Sequence, residues 1–437
     1  MNTVTFQDLI RSGDLEIGDG YRAKNSELGG SGLIFLRAGH LTDAGFDFEN
    51  VERFREDIVR LDGKVAKAGD TVITTKGNST GRVGYVESDY PPFVYSPHLS
   101  FWRCTGEAVA PQFLRYWSRG DEFRCQLEAM KTSTDMAPYL SLTDQRRLRI
   151  TLPDHQEQIL IGDALKVLDD RIANKKAINR SLEVLASGLF KSWFIDFDPV
   201  AAKRDGRRPV GVPTEALLLF PSHFEESEIG PIPQGWITYR VEEVFDLNPR
   251  RELRSGDVAP YVEMALMPTV GHAPEHCVSR SAGSGMRFIN GDTLIARITP
   301  CLENGKTAFV DFLQQGEVAW GSTEYIVLRA KPPIPLVTSY LLARSEDFRA
   351  FAIQGMTGSS GRQRVGSELL GRYKLALPSD ARFWQAFAAI VEPLFRMAGA
   401  NSRESRALAE LRDRLLGPLL SGELTTKSAE KAVGAAL

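Results

Sequence analysis

Residues 154–198 read DHQEQILIGDALKVLDDRIANKKAINRSLEVLASGLFKSWFIDFD, and this stretch decides the fold. Steps of alternating four and three residues along it give a repeat of about 3.5 residues, the spacing of a coiled-coil seam. The seam is polar in its middle and apolar at both ends, and it runs through Ile161, Leu165, Leu168, Ile172, Lys175, Asn179, Leu182, Ala186, Leu189 and Trp193. Roughly 35 to 40 helical residues form a rod on the order of 55 Å long, which exceeds the interior of an ordinary domain. We therefore predict a spacer or a dimerisation arm; the alternative is a long amphipathic helix lying on a large domain.

Length and composition indicate a globular, soluble protein of about two or three domains, because 437 residues carry ordinary apolar and charged fractions. No apolar run approaches the ~18 residues of a membrane span. The N-terminus lacks the layout of a signal peptide, so a cytoplasmic location is expected. The four cysteines form no close pair, which argues against a zinc site or a disulfide framework. A net charge of -3 means that any DNA-binding role must belong to particular loops.

Two regions flank this helix, and each alternates short β-like runs with turn signals. Residues 1–153 form the first mixed α/β globule, with predicted strands at 32–37, 71–75, 82–87 and 99–103. Residues 199–236 are rich in proline and charge and are predicted to be a connector. Residues 237–378 form the second globule, with predicted strands at 293–298, 307–312 and 324–329. A second long helix is predicted within 379–425, and 426–437 are predicted to be a disordered tail.

The second helix has a seam of the same kind, again with a polar middle. It steps through Phe387, Ile390, Leu394, Met397, Asn401, Glu404, Leu408, Leu411 and Leu415. In an antiparallel pair of the two helices, Asn401 and Glu404 are expected to face Lys175 and Asn179, and such buried polar groups can fix the register.

The two halves of the chain look like one unit used twice. Residues 69–73 (GDTVI) match 291–295 (GDTLI), 96–103 (SPHLSFWR) align with 322–329 (STEYIVLR), and 149–153 (RITLP) match 374–378 (KLALP). The offset between the copies stays near roughly 225 residues, which chance matches would not do. The predicted fold is therefore α+β: two globules joined by two long helices in an antiparallel coiled coil, with an internal pseudo-twofold repeat.

The motifs that might indicate catalysis are incomplete. Residues 305–307 (GKT) resemble the end of a phosphate-binding loop, but Pro300 stands where that loop needs glycine. Residues 89–93 (DYPPF) resemble a methyltransferase motif, but a tyrosine separates the acid from the prolines. The histidines show no metal-ligand spacing with a partner acid. We predict no catalytic residue and no metal site.

Residues 182–200 (LEVLASGLFKSWFIDFDPV) closely resemble the central conserved region of specificity subunits of type I restriction-modification systems. Residues 231–236 (PIPQGW) and 296–306 (ARITPCLENGK) resemble parts of the second recognition domain of that family. The resemblance implies two target-recognition domains, each reading half of a bipartite, asymmetric site in double-stranded DNA. It also implies two methyltransferase subunits and two motor-nuclease subunits as partners. S-adenosylmethionine, ATP and magnesium would belong to those partners, so this chain would be non-catalytic and carry no cofactor.

The same resemblance gives the helices the role of holding the two half-sites apart. Half-sites about one DNA turn apart, roughly 34 Å, need a rigid spacer of that order. Inserting one turn of helix is therefore expected to lengthen the recognised gap and to leave both half-sites unchanged. The competing hypothesis is a non-catalytic adaptor whose two globules bind protein partners.

Polar loops that contain glycine are the candidate DNA contacts, because polar side chains read base edges and phosphate contacts fix the register. In the first half the candidates are Lys76, Asn78, Ser79, Thr80 and Arg82, with Arg22, Lys24, Lys131, Thr132, Ser133 and Thr134 as second choices. In the second half they are Arg250, Arg251, Arg297, Lys306, Ser359, Ser360, Arg362 and Arg364. For any one of them the alternative is a solvated loop residue.

The methyltransferase interface is predicted near the end of the first long helix, at Lys191, Trp193 and Phe194. Aromatic anchors dominate interfaces of this kind. The alternative is that Trp193 closes the pair of helices within the chain.

Overall fold

The computed structural model describes residues 2–42, 45–55, 61, 63–131, 139–209, 211–359 and 361–436. Helices and sheets are mixed along the chain, which confirms the α+β class. The chain divides into two compact units: one comprises Met1–Asp170 with Leu408–Leu437, and the other comprises Arg171–Ala407. Both boundaries fall inside long helices, so each unit holds a globule and part of each long helix.

The globule of the first unit consists of short strands and helices that precede the first long helix. Its elements are β1 (Asn2–Thr5), α1 (Phe6–Ser12), β2 (Leu15–Asp19), β3 (Ile34–Leu36), β4 (Leu41–Thr42), β5 (Gly45–Phe46), β6 (Glu52–Arg53), β7 (Thr71–Thr74), β8 (Val83–Tyr85), β9 (Phe93–Tyr95), β10 (Leu99–Cys104), α2 (Pro111–Trp117), α3 (Asp121–Lys131), α4 (Leu142–Arg146), β11 (Arg149–Leu152) and the start of α5 (His155–Phe194). Strands β2-β10-β7-β8 form an antiparallel sheet, and β6-β3-β9 form a second sheet in which β3 and β9 are parallel. Phe101 and Trp102 of β10 are both buried, so this central strand is apolar on both faces.

The second unit starts within α5 and repeats this arrangement. Its further elements are α6 (Asp198–Arg204), α7 (Thr214–Leu217), β12 (Phe224–Ser227), β13 (Gly230–Pro233), β14 (Ile237–Arg240), α8 (Val241–Val244), β15 (Phe245–Leu247), β16 (Val258–Val262), β17 (Val278–Ser281), β18 (Arg287–Phe288), β19 (Thr293–Ala296), β20 (Thr307–Phe309), β21 (Ala319–Gly321), β22 (Tyr325–Ala330), α9 (Thr338–Arg344), α10 (Glu346–Gln354), α11 (Ser367–Gly371), β23 (Lys374–Leu377) and α12 (Ala381–Ser421), whose last part lies in the first unit.

The sheet topology confirms the predicted repeat. The order β2-β10-β7-β8 recurs as β15-β22-β19-β20, and the pair β1-β11 recurs as β14-β23. A buried ion pair recurs with it: Asp70 lies 2.7 Å from Arg103, and Asp292 lies 2.7 Å from Arg329. Both aspartates are fully buried and follow the glycine of the GDT run. The repeated sequence therefore marks a buried ion pair that joins a strand to the start of its neighbour in each unit.

The connector and the C-terminal tail are both ordered. Residues 199–236 contain two short helices and the hairpin β12–β13, and Val200, Phe220 and Trp236 belong to the core of the second unit. The prediction of a disordered tail is wrong: Thr426–Ala436 forms helix α13. Ala429 and Val433 are buried, and this apolar face makes the segment a packed helix.

In the second unit, α5 and α12 run antiparallel, because contacts step from Arg171–Glu404 to Asn179–Ala398. The predicted polar layer is confirmed: Lys175 lies 2.7 Å from Glu404, and Asn401 Nδ2 donates to Asn179 Oδ1 at 2.9 Å. The predicted seam of α12 is one residue out of phase at its centre.

The phase error is clearest at Met397, which is 54% exposed, whereas Ala398 is 1% exposed. The carbonyl of Ala398 accepts from Asn179 Nδ2 at 3.0 Å, so Ala398, and not Met397, faces α5. The hydrogen bond to Asn179 therefore decides which residue faces α5, and the spacing of apolar residues along α12 does not predict it.

Candidate nucleic-acid interface

The polar loop 76–82 of the first unit begins at the end of β7, between two neighbouring chain segments. The backbone N–H of Thr75 donates to the carbonyl of His98 at 2.9 Å, and the N–H of Leu140 donates to the carbonyl of Thr75 at 2.9 Å. Lys76 forms an isolated β-bridge with Tyr139. The first-choice loop 76–82 therefore begins beside Tyr139 and Leu140; the second choices Thr132, Ser133 and Thr134 lie outside the described residues.

Loop 76–82 divides its polar side chains between solvent and its own backbone. Lys76 and Asn78 are exposed, and Ser79 is half-buried. Thr80 is buried, and its hydroxyl donates to the carbonyl of Gly77 at 2.7 Å. Arg82 Nη1 donates to the carbonyl of Leu41 at 3.1 Å. Lys76 and Asn78 therefore point outward, while Thr80 and Arg82 hold the loop in shape.

With different residues, the second unit repeats the two backbone hydrogen bonds of Thr75; we call this arrangement the loop frame. The N–H of Arg297 donates to the carbonyl of Glu324 at 3.0 Å, and the N–H of Val365 donates to the carbonyl of Arg297 at 3.0 Å. Positions 75, 98 and 140 thus correspond to positions 297, 324 and 365. Loop 297–306 lies against hairpin 357–364, because the N–H of Thr299 donates to the carbonyl of Gln363 at 3.0 Å.

The hairpin presents one exposed arginine and fixes another. Arg362 and Ser359 are exposed. Arg364 donates to both oxygens of Glu324, with Nε and Nη2 at 2.9 and 2.7 Å from Oε1. These hydrogen bonds hold the pKa of the Glu324 carboxyl below its usual range. Ser360 lies outside the described residues.

The other candidate residues of the second unit differ in how far their side chains are bound by the rest of the fold. Arg250 is exposed, whereas Arg251 lies 3.0 Å from the buried Asp292. Lys306 Nζ donates to the carbonyl of Met264 at 2.7 Å, and Arg297 is half-buried. Arg250 is the member of this group with the most open side chain, and Arg251 supports the ion pair of the repeat.

Sequence reasoning missed Glu324, whose carboxylate accepts from the Arg364 side chain and whose carbonyl accepts from the N–H of Arg297. Glu324 stands at the position of His98 in the first unit. The alignment of SPHLSFWR with STEYIVLR already places these two residues opposite each other, so a comparison of charges across the repeat would have identified the site.

The predicted methyltransferase contact is mostly internal in this fold. Trp193 is 1% and Phe194 3% exposed, and both rings pack against Phe383 and Phe387 of α12. Lys191 is exposed and pairs with Asp196. An apolar row on the opposite face of α5 was not predicted: Val184 is 70% and Leu185 59% exposed.

Among the described residues, no group of three or more His, Cys, Asp or Glu side chains is arranged to hold a metal ion. None of the helices in the described ranges combines the length and apolar character that crossing a membrane requires.

Comparisons with known proteins agree with the family resemblance. A segment of 175 residues is 29% identical to the specificity subunit of the type I restriction enzyme HindI of Haemophilus influenzae, covering 39% of this chain and 37% of that protein. A segment of 302 residues is 26% identical to the specificity subunit of the type I restriction enzyme MjaIX of Methanocaldococcus jannaschii, covering 66% of this chain and 63% of that protein. The chain thus matches less than two thirds of the length of either relative.

A solved structure shares the fold. The S subunit of a type I restriction-modification system from M. genitalium superposes with a TM-score of 0.55 at 15% identity, covering 96% of this chain and 95% of that one. No family model matches the chain. Together, the relatives confirm the resemblance to type I specificity subunits that the motifs indicated.

Proposed function

We propose that this chain is the DNA sequence-recognition subunit of a type I restriction-modification complex. Each unit reads one half of a bipartite, asymmetric DNA site. The long helices scaffold two methyltransferase subunits, and two motor-nuclease subunits complete the assembly. The curated relatives, all specificity subunits of type I enzymes, support this role over that of a protein-binding adaptor.

The observation that carries the proposal is the repeated loop frame with different side chains. Thr75 and His98 in one unit correspond to Arg297 and Glu324 in the other. Base edges in the major groove are distinguished by the pattern of donors and acceptors that meets them. A constant backbone with changed polar groups therefore suits two readers of different half-sites.

Within each loop pair, the exposed side chains are the proposed DNA contacts. Lys76, Asn78 and Ser79 serve the first unit, and Arg250, Ser359 and Arg362 serve the second. Thr80, Arg82, Arg251, Arg297, Lys306 and Arg364 hold these loops, and the arginines and the lysine among them contribute positive charge close to the phosphates. Ser360 remains a candidate contact by sequence.

The methyltransferase contact is proposed on the exposed side of α5. Lys191, Val184 and Leu185 offer charge and apolar area to a partner helix. The burial of Trp193 favours the alternative role for this ring, in which it closes the helix pair, and Phe194 is buried beside it. Methylation and cleavage, with S-adenosylmethionine, ATP and magnesium, belong to the partner subunits, and the complex works in the cytoplasm.

Long-read mapping of methylated positions tests this function directly. DNA is taken from cells that express the chain with its methyltransferase, and cells that express the methyltransferase alone are the control. We expect methylation at a two-part asymmetric motif that requires this chain. A single contiguous motif, or methylation that persists without the chain, would contradict the proposal.

A further inference from the structure

The first unit contains a basic cleft of about 320 Å³ beside the proposed DNA-reading loop. Arg22, Asn25, Phe35, Arg37, Ser96 and His98 line it, together with smaller residues. The N–H of Ser96 donates to the carbonyl of Leu36 at 2.9 Å, which fixes the cleft floor across β3 and β9. The carbonyl of His98 accepts from Thr75, the residue before loop 76–82, so the cleft and the loop share one border.

The charge of the cleft favours an anion. Two guanidinium groups, an imidazole, an amide and a hydroxyl line it, and its described lining residues include no carboxylate. Arg37 pairs with Glu52 at 2.5 Å, and both side chains of this pair are about half exposed. An ion pair at such an exposed site contributes little stability, so Glu52 can yield its place beside Arg37 to another anion.

The second unit does not repeat this charge. By the parallel strand pairing, Leu36 beside Tyr95 corresponds to Val262 beside Gly321, which places Arg37 at the position of Glu263. His98 corresponds to Glu324 by the loop frame. Arg37 and His98 thus stand where the second unit has carboxylates, so at these two positions the first unit favours an anion and the second does not.

We infer that this cleft is a phosphodiester-binding subsite of the first recognition unit. The inference rests on the proposed function, because the phosphodiester is that of the DNA half-site held by loop 76–82. Arg22 and Arg37 supply the charge, and Asn25, Ser96 and His98 supply hydrogen bonds. Donors of these kinds contact the phosphate and sugar of DNA more often than they contact base edges.

Equilibrium binding of the full chain to a duplex that carries its methylation motif tests the subsite. The double variant R22Q/R37Q is expected to bind about tenfold more weakly near 0.15 M salt, and the slope of log Kd against log salt should fall by about one to two. R11Q, on the exposed end of α1, removes one positive charge outside the cleft and is expected to leave both quantities unchanged.

Two further variants separate the cleft from simple loss of a surface ion pair. E52Q breaks the pair but keeps Arg37, so it should bind DNA as tightly as the original chain or more tightly. H98E installs the residue of the second unit and should weaken binding more than tenfold. Thermal melting of each variant checks that the first unit remains folded.

Replacement of single phosphates by neutral methylphosphonates supplies the second readout. We expect one position in the half-site at which the replacement weakens the original chain but has no effect on R22Q/R37Q. If folded R22Q/R37Q and H98E bind like the original chain with the same salt slope, the subsite is refuted while DNA recognition stands. If the original chain itself fails to bind the duplex, the proposed function fails with it.

Discussion

At the scale of single residues, the candidate surface combines exposed side chains with others that fix the loops. Arg362 is open to solvent, and its neighbour Arg364 is held by two hydrogen bonds to Glu324. A guanidinium held in this way orients the hairpin, and an exposed one beside it can reach DNA. The effect of each substitution should therefore depend on which of these roles the side chain has.

Replacing Arg362 by alanine should weaken DNA binding by about 1–3 kcal/mol, since it removes one charged contact. Removing Arg364 as well should abolish binding at physiological salt, because the hairpin loses its attachment to Glu324. Gel-shift titration with R372A, an exposed arginine at the end of α11, as the matched control measures both effects. Near-unchanged affinity of the double variant would discard this loop as a DNA contact.

Asp70 carries a fully buried charge that stabilises the first unit. Its carboxylate accepts from Arg103 Nε and Nη2, both at 2.7 Å, and from the hydroxyl of Tyr95 at 2.7 Å. D70N should lower the free energy of unfolding by about 3–5 kcal/mol, because it removes the buried counter-charge of Arg103 and leaves the half-exposed Glu16 at 3.5 Å. Denaturant unfolding is the measurement, and D89N on an exposed turn is the control. Equal stability of the two variants would show that the pair is dispensable.

At the scale of elements, the helix pair carries a polar layer where an ordinary coiled coil is apolar. Asn179 Nδ2 donates to the carbonyl of Ala398 and to Ser402 Oγ, each at 3.0 Å. Such a layer is satisfied in one alignment of the helices and unsatisfied in shifted ones. It therefore favours a single register at some cost in stability.

N179L should destabilise the chain by about 1–3 kcal/mol, since the amide of Asn401 loses its acceptor in a buried position. N179L/N401L should recover much of that loss while it weakens the preference for one register. A double-mutant cycle measures the coupling, with N174L on the exposed face of α5 as the control. Additive effects of the two substitutions would contradict a coupled layer.

A buried histidine attaches α5 to the second globule. His272 Nε2 lies 3.1 Å from Asp311 and Nδ1 lies 3.4 Å from Glu183 of α5. Burial alone would lower the pKa of His272, but the hydrogen bonds and charges of Asp311 and Glu183 outweigh it and raise the pKa to about 9. The imidazolium therefore links the helix to the loop after β20 at neutral pH.

This link should make stability depend on pH. The stabilisation is fully present below the unfolded pKa near ~6.5 and is lost as the pH rises through about 9, because the folded state holds the proton more tightly. The free energy of unfolding of the original chain, measured at a series of pH values, should fall by up to about 1.4 kcal/mol per pH unit in this range. The free energy of unfolding of H272Q should not show this fall. Parallel declines in the two proteins would exclude His272 as the cause.

At the scale of the whole molecule, each unit has its own sheet and its own loop pair. A repeat of this kind can change one reading surface without disturbing the other. It stays a prediction that the length of the long helices sets the distance between the two DNA half-sites. Inserting one helical turn tests it, since the recognised gap should lengthen.

Modular reading predicts that K76A/N78A alters the recognised sequence in one half-site only. The two side chains are exposed on the first unit, so the second unit keeps its contacts. Methylation mapping of the variant against the original chain measures the outcome. A change in both halves of the motif would show that the units do not read independently.

Much of the fold follows from local patterns. The helix seams, the turn signals and the repeated GDT and SPHLSFWR/STEYIVLR runs predicted the long helices, several strands and the duplication. These features depend on periodicity and spacing, which the chain carries in linear order. The same patterns misplaced the centre of the second seam and left the tail without structure, because both depend on which neighbour a side chain meets.

The sequence by itself determined the polar loops, the repeat and the family resemblance. Only the tertiary structure decided which loop residues are available: Arg364 turns to Glu324, Arg251 to Asp292, and Trp193 into the core. The cleft at Arg22, Arg37 and His98 likewise gathers residues from three separate segments. Ion pairing and burial are set by distant partners, and no local pattern records them.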